Sequence, residues 1–543
     1  MLDLGAFLIR PLTLLGIASV ILLVARKFGK ARSSGIKGVP WVGRDEKLWF
    51  ADLRASLSTF TTSYELLHEG YTRYNKKGTT YMIPDLGGTP QLVLPIVQMP
   101  WVLDQPDSVL SASGFHYDNL AGDYCFDSPE ILRDPYHERA VHRYLPRRMA
   151  AVIPDVEEEV IYGFDNFWGT DTQKWKEVNL WDFVLFIIPR TVMRLTVGSQ
   201  LCRNDEFIET AIAVTESVPK CSLVISHTHR RLRPLVGPLI TRSHKALLKK
   251  LSTFTIPVIE ARLAAFERQK RDPEFNWTPP NDFICWHIQV AMEDNRPEEL
   301  KVKRVAARIV PILFAVIHTT SISFMNCLLD LLSSKTVMSD LEKIREESST
   351  LLNECGGAWT KSALGQCHLA DSALRESMRV SNFMSRNVSK KVNCPEGITN
   401  EFEGWHAPQG VHVAFDQHNV HHDAAYYANP MEYDPFRFAP TAEARALRVN
   451  DRSESNATQT LASDKAVSRG KTDLISTSDI WLPFSRGRHT CPGRFLVAPE
   501  VKIFLAYMTM HYDIEPLLKR PANKTLAAVN IPTPDTIINV RRK

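Results

Sequence analysis

Apolar residues run almost unbroken from Leu4 to Ala25, interrupted by Arg10 and a few small polar side chains. As a helix this stretch would be roughly 33 Å long, about the thickness of a bilayer core. Arg26, Lys27, Lys30, Arg32 and Lys37 follow it at once. A cleavable leader carries its charge before the apolar run, so the pattern predicts a retained single-pass anchor with its basic flank over residues 1–30. The positive-inside rule then leaves the body on the cytoplasmic side. Gly38-Val-Pro40-Trp-Val-Gly43 reads as a joint between the two.

Short apolar runs with turn breakers, Tyr81-Met-Ile-Pro84 and Gln91-Leu-Val-Leu-Pro95, predict strands of a small sheet. Helical spacing then takes over. A helix is expected from Tyr136 to Ala150, and a succession of helices from Glu157 to about Met292. The longest helical candidate is Leu300 to Leu332, bent at Pro311. A strand is expected over 408–414, a helix after Cys491 to about Met510, and a terminal strand pair within Ala527–Arg542. Residues 441–478 are polar and nearly free of aromatics, the pattern of a mobile surface insertion. No internal repeat is present.

Composition narrows the class. A 543-residue chain with 44% hydrophobic residues can bury a large core. A formal charge of +4 gives no case for nucleic-acid binding. The nine cysteines are scattered and include no Cys-x-x-Cys pair, which argues against a disulfide framework or a zinc module and for a reducing compartment. The four sequons at Asn276, Asn387, Asn456 and Asn523 would be unused on a cytoplasmic body.

The concentrated chemistry lies in Phe484-Ser-Arg486-Gly487-Arg-His489-Thr-Cys491-Pro-Gly493. One cysteine ends a glycine-punctuated, basic loop and opens a helix-compatible run. A thiolate at a helix mouth is favoured by unpaired backbone N–H groups. A soft anionic ligand for a flat iron cofactor has this chemistry; an inert buried cysteine is the commoner fate of a lone one.

This loop resembles the haem-binding loop of the cytochrome P450 monooxygenases, with every fixed position of Phe-x-x-Gly-x-x-x-Cys-x-Gly present. The resemblance implies Cys491 as axial ligand of haem b, with its thiolate pushing electron density onto the iron. It implies Phe484, Arg486, Gly487, His489 and Gly493 around the cofactor, with His489 on a propionate. His137, in the helix after Asp134-Pro135, would be a second propionate contact.

Two further motifs extend the resemblance over the chain. Phe314-Ala-Val-Ile-His318-Thr319-Thr-Ser321 sits mid-way along the longest helix, where the family places a threonine that assists proton delivery. That role falls to Thr319. Val316 stands where a glycine, and His318 where an acid, is usual; a histidine passes protons near neutral pH. This version of the helix resembles fungal terpenoid oxidisers such as ent-kaurene oxidases. Leu374-Arg-Glu376-Ser-Met-Arg379 supplies Glu-x-x-Arg, and Asp434-Pro-Phe-Arg437 a third member of the structural triad beneath the haem.

The implied fold is mainly α (α+β), a large helical body with a small β-rich region and one transmembrane helix; residues 31–543 form the catalytic domain. The implied reaction inserts one oxygen atom of O2 into a lipophilic substrate, in fungal secondary metabolism and on a terpenoid-like scaffold. No flavin, dinucleotide or iron–sulfur motif is present. Electrons would therefore come from NADPH through a separate membrane-bound cytochrome reductase, with cytochrome b5 as a further donor, at the endoplasmic reticulum. Alternatives are a haem-thiolate isomerase or dehydratase working without a reductase, and a non-catalytic haem-binding membrane protein. The basic-apolar segment His227 to Ile240 is expected to rest on the membrane rather than bind metal through His227 and His229. No metal is assigned to His418, His421 and His422.

Overall fold

The structure, a computed structural model, describes residues 36–45, 51–440 and 473–543. The expected anchor, Asn456 and most of the expected insertion lie outside the described residues. The chain forms two compact units. One takes the residues up to Pro135 with Ala213–Leu251 and Ser389–Asp416; the other takes Tyr136–Ile212, Ser252–Val388 and Gln417–Lys543.

The first unit holds the small sheet that the turn-bounded apolar runs predict. Tyr81–Ile83 pairs antiparallel with Gln91–Leu94, which pairs in parallel with His412–Asp416. Leu110 and Ser111 pair with Val392 and Lys391. Every residue of Tyr81–Ile83, Gln91–Leu94 and His412–Asp416 is buried, as expected of strands read from continuous apolar runs.

The second unit is mainly helical. Helix Tyr136–Phe167 extends well past Ala150. Its apolar period continues through Met149, Val152, Ile153, Val156, Val160 and Phe164, all buried, and this face carries the helix across Pro146 and Pro154. Asn179 caps helix Leu180–Thr196 by accepting from the N–H groups of Trp181 (2.9 Å) and Asp182 (3.0 Å). The predicted long helix is Val302–Leu332, continuous through Pro311. Phe164, Phe183 and Phe504 meet with ring centroids 4.7 to 5.6 Å apart. They join helices Tyr136–Phe167 and Leu180–Thr196 to helix Arg494–His511, which starts at the cysteine loop. Truncating one such ring to alanine costs about 3–5 kcal/mol.

The terminal strand pair requires correction. Val529–Ile531 pairs with Lys524–Leu526, whereas Ile537–Arg542 pairs with Lys176–Asn179 and Tyr512–Ile514. A two-residue turn, with Ala527 at φ 53°, closes the first hairpin. Pro532 and Pro534 then break the run, since neither can donate to a ladder. Strand Lys176–Asn179 falls where successive helices were expected; its exposed, charged sequence carries no apolar alternation.

Candidate active site

The cysteine loop is closed by its own backbone. Ser485 N–H donates to Leu482 O at 2.8 Å, Thr490 N–H to Gly487 O at 3.1 Å, and Cys491 N–H to Phe484 O at 2.8 Å. The path requires left-handed angles at Ser485 (φ 61°) and Gly487 (φ 77°), and the glycine adopts its angle without the cost of a side chain. Phe484 is buried and pins the loop. Arg486 turns its Nε to Asp479 Oδ1 (2.9 Å) and Nη1 to the Thr477 carbonyl (3.3 Å), bracing the segment that enters the loop.

Cys491 is exposed, whereas seven of the other eight cysteines are buried. Burial nevertheless pushes its thiol up, because protein crowds the sulfur; the N–H groups of Gly493 and Arg494 and the Arg494 charge act the other way. Gly493 lies against this sulfur: a Cβ there would lie 3.4 Å from Sγ, an ordinary contact.

Helix Tyr136–Phe167 brings its first turns to this loop. Burial, then the charges of Arg494 and His489, lowers the His142 pKa, while Glu138 acts on Cys491. His142 and Arg494 thus join His489 at the cysteine loop. The sequence signal was available: Glu138 and His142 are four apart, on one helix face. His137 is buried on the same helix. Arg139 and Arg143 are drawn off to Asp294 and Glu293, at 3.1 and 2.6 Å. Arg386 precedes a further residue that braces the loop. It is buried, and its neighbour Asn387 donates to the Leu482 carbonyl (2.9 Å) on the way into the loop. That bond also occupies the sequon amide.

Glu-x-x-Arg forms as its spacing predicts. Arg379 Nε and Nη2 reach the two carboxylate oxygens of Glu376, each at 2.8 Å, and Arg437 Nε reaches Glu376 Oε1 at 2.8 Å. Glu376 and Arg379 are fully buried. The remaining Arg379 donors bind the carbonyls of His421 (2.7 Å), Pro430 (2.6 Å) and Glu432 (3.1 Å). The histidines of the 418–422 run serve the same scaffold: neutral His421, its pKa held far down by burial, stacks on Trp481 and accepts from Leu482 N–H.

Helix Val302–Leu332 is a core helix with one accessible stripe. Ile312, Val316, Thr319 and Ser323 are partly accessible and Ala315 is exposed; Phe314 and His318, off this face, are also partly accessible. The first five positions recur at three and four residues, so they share one face. Thr319 Oγ1 donates to Ala315 O at 2.5 Å, leaving the hydroxyl oxygen free to accept along that stripe. His318 is half-buried, about 100° round the helix. Phe324 packs its ring against Phe504, so this helix and the one beginning at Cys491 touch directly. An exposed cysteine at a helix mouth with Arg494, His142 and His489 near it, and an accessible stripe on the long helix, suit a flat, dianionic, iron-bearing macrocycle.

The cytochrome P450 family profile matches residues 147–539. The chain belongs to the cytochrome P450 family. Three similar proteins are cytochrome P450 monooxygenases: gloP of Glarea lozoyensis, htyF of Aspergillus rugulosus and pbrC of Penicillium brasilianum. They are 31%, 31% and 30% identical, over 93%, 91% and 89% of this chain and 90%, 70% and 88% of their own lengths. Among solved structures, retinoic acid bound cyanobacterial CYP120A1 matches with a TM-score of 0.61 at 16% identity, over 94% of this chain and 98% of that one. That likeness concerns the fold, which is the P450 fold expected from the sequence. The P450 is a haem-dependent monooxygenase, taking haem b, O2 and NADPH-derived electrons delivered by a reductase, and its substrate is lipophilic.

Proposed function

We propose that Cys491 would supply the thiolate that binds the haem iron of this P450, with the cysteine loop and the accessible stripe of helix Val302–Leu332 as the surfaces that would hold the cofactor. The observation that carries the reading is the exposed Cys491 at the end of the closed loop and the start of helix Arg494–His511, with the N–H groups of Gly493 and Arg494 opposing the upward push of burial on its thiol. When bound, the haem supplies activation of O2. The chain's own residues do the rest. Phe484, Gly487 and Gly493 shape the seat, and Arg486 braces it. His489, with His137, His142 and Arg386, meets the propionates. Thr319 holds a hydrogen bond to Ala315 O and offers its oxygen to water or to a proton-bearing group on the stripe. His318 is the neighbouring histidine, about 100° round the helix from Thr319.

Ile312, Ala315 and Val316 give the stripe an apolar character that suits a lipophilic scaffold. With fungal relatives of the same family, the reading extends to a terpenoid-like compound of secondary metabolism. Residues 1–30 serve as the anchor to the endoplasmic reticulum membrane, ahead of a single catalytic domain over 31–543 that carries the 441–478 insertion, and cytochrome b5 is a second electron donor. Leu235 and Leu239, 71% and 73% exposed beside Arg230, Arg231 and Arg233, give a surface that suits a membrane. Among the described residues helix Val302–Leu332 alone is long and apolar enough to cross a bilayer, and 61% of its apolar window is buried in protein.

Reductase-supplied membranes containing the P450, given NADPH, isotopically labelled O2 and a panel of lipophilic metabolites, test the reading. One labelled oxygen atom per product is expected. An unlabelled, NADPH-independent rearrangement product would point instead to an isomerase.

A further inference from the structure

Among the described residues, six other than glycine adopt left-handed backbone angles, and Val388 is the β-branched one. A φ of 53° is an outlier for a branched side chain, and this one is buried. Such an angle persists where neighbouring bonds impose it. Ser485, in the cysteine loop, is another of the six, at φ 61°. One side chain links the two.

That side chain is Asn387. Its Oδ1 accepts the N–H of Val388 at 2.8 Å, which decides the orientation of the amide and turns Nδ2 the other way. Nδ2 has two hydrogens, and it meets Gln417 Oε1 and the Leu482 carbonyl, each at 2.9 Å, with the Pro483 carbonyl 3.5 Å away. The Leu482 carbonyl has a second lone pair, which takes Ser485 N–H at 2.8 Å. Leu482 N–H donates to neutral His421 at 3.3 Å, so both backbone groups of Leu482 are held.

The line continues to the cysteine. Ser485 N–H and Phe484 O belong to one planar trans peptide and point in opposite directions. Phe484 O accepts Cys491 N–H at 2.8 Å. Three hydrogen bonds therefore run in sequence: Asn387 to Leu482 O, Ser485 to Leu482 O, and Cys491 to Phe484 O. They fix the plane of the Phe484–Ser485 peptide, and the chain leaves that plane through the left-handed angle at Ser485. Gly487 takes its own such angle freely, whereas Ser485 takes it against the preference of an L residue. The bond from Asn387 helps to offset that cost.

We propose that Asn387 is a positioning residue for Cys491: by fixing the Leu482 carbonyl it sets the plane of the Phe484–Ser485 peptide, and so sets where the loop presents the sulfur. This rests on the reading that Cys491 supplies the thiolate.

The test uses the full-length holoenzyme. Asn387→Asp keeps the acceptor for Val388 and loses both donors; Asn387→Leu, of similar volume, loses every bond. Ser485→Gly removes the cost of the left-handed angle, so a loop carrying it depends less on Asn387. Hydrogen exchange is measured over 482–493, with 180–196 and 302–332 as internal references. The spectrum of the reduced, CO-bound protein is followed during timed exposure to mild urea. Each Asn387 variant is expected to lose about tenfold or more in protection over 482–493 with the references unchanged. Each should also lose its red-shifted Soret band faster than wild type. Adding Ser485→Gly to either variant should restore most of both losses, a coupling that a merely stabilising asparagine would not show. Where a variant is poorly produced, its yield of haem-loaded protein with and without Ser485→Gly reads the same rescue. Unchanged exchange and unchanged decay of the band in both variants would overturn the proposal. So would defects that Ser485→Gly leaves intact, or protection lost equally from the reference helices. Absence of the red-shifted band from haem-loaded wild type would instead overturn the thiolate reading, and this proposal with it.

Discussion

Gly493 stands so close to Cys491 that a Cβ on it would lie 3.4 Å from the sulfur. Its φ of −60° suits any residue, and 3.4 Å is about an ordinary contact, so a methyl group would just touch the sulfur. Gly493→Ala should therefore cost little, and Gly493→Val, with two further carbons beside the thiolate, should cost about 1–3 kcal/mol. Haem per protein after gel filtration is expected to fall slightly from wild type to alanine and further to valine. Equal occupancy in all three would show that the sulfur does not need this clearance.

The buried pair Glu376 and Arg379 predicts a steep, asymmetric response. Arg379→Ala leaves a carboxylate with no exposure facing Arg437 and the Asp434 N–H alone, and removal of one partner of such a pair costs about 3–5 kcal/mol. Arg437 is 15% exposed, so Arg437→Ala should be milder. Thermal unfolding of the two variants measures the difference; comparable losses would mean that the pair is not the dominant member.

Glu500 predicts a pH effect. It is buried on the helix that begins at Cys491, accepts from Thr191 Oγ1, and has no partner for Oε2 among the described residues. Burial raises its pKa to about 7, with Thr191 acting in the opposite direction. In the unfolded chain the group ionises near 4.5, so between about pH 4.5 and 7 only the native state binds the proton. Its contribution to stability is full below about 4.5 and is lost as pH rises to about 7, by about 3 kcal/mol. Glu500→Gln should remove that slope. Urea unfolding at about pH 5 and about pH 8 compares the two proteins, and an equal slope in both would refute the assignment.

Thr319 and His318 predict separable defects. Thr319→Ala removes the hydroxyl from the stripe, so product should fall on the order of 100-fold while NADPH consumption falls less and peroxide appears. His318→Phe should alter the pH profile of product formation more than its maximum. Proportional loss of product and NADPH use in Thr319→Ala would argue against proton delivery by this residue.

The legible parts of the chain are those with a short-range code. Glu-x-x-Arg works through spacing on one helix, and the cysteine loop works through two glycines and a helix start, so both are readable from neighbouring residues alone. The long helix is visible because its apolar run continues for about thirty residues. What escapes depends on partners distant in sequence. His142 acquires its setting from His489 and Arg494, far along the chain. Asn387 is tied to Gln417 and Leu482, neither of which forms a local motif with it. The terminal strands alternate as expected, but alternation does not specify a partner, and the true ones lie at 176–179, 512–514 and 524–526.

The central claim is thiolate ligation by Cys491, and the spectrum of the reduced, CO-bound protein tests it most directly. Wild type should show the red-shifted Soret band of CO opposite a thiolate, and Cys491→Ala should lose it. Retention of that band in Cys491→Ala, or its absence from haem-loaded wild type, would contradict the account.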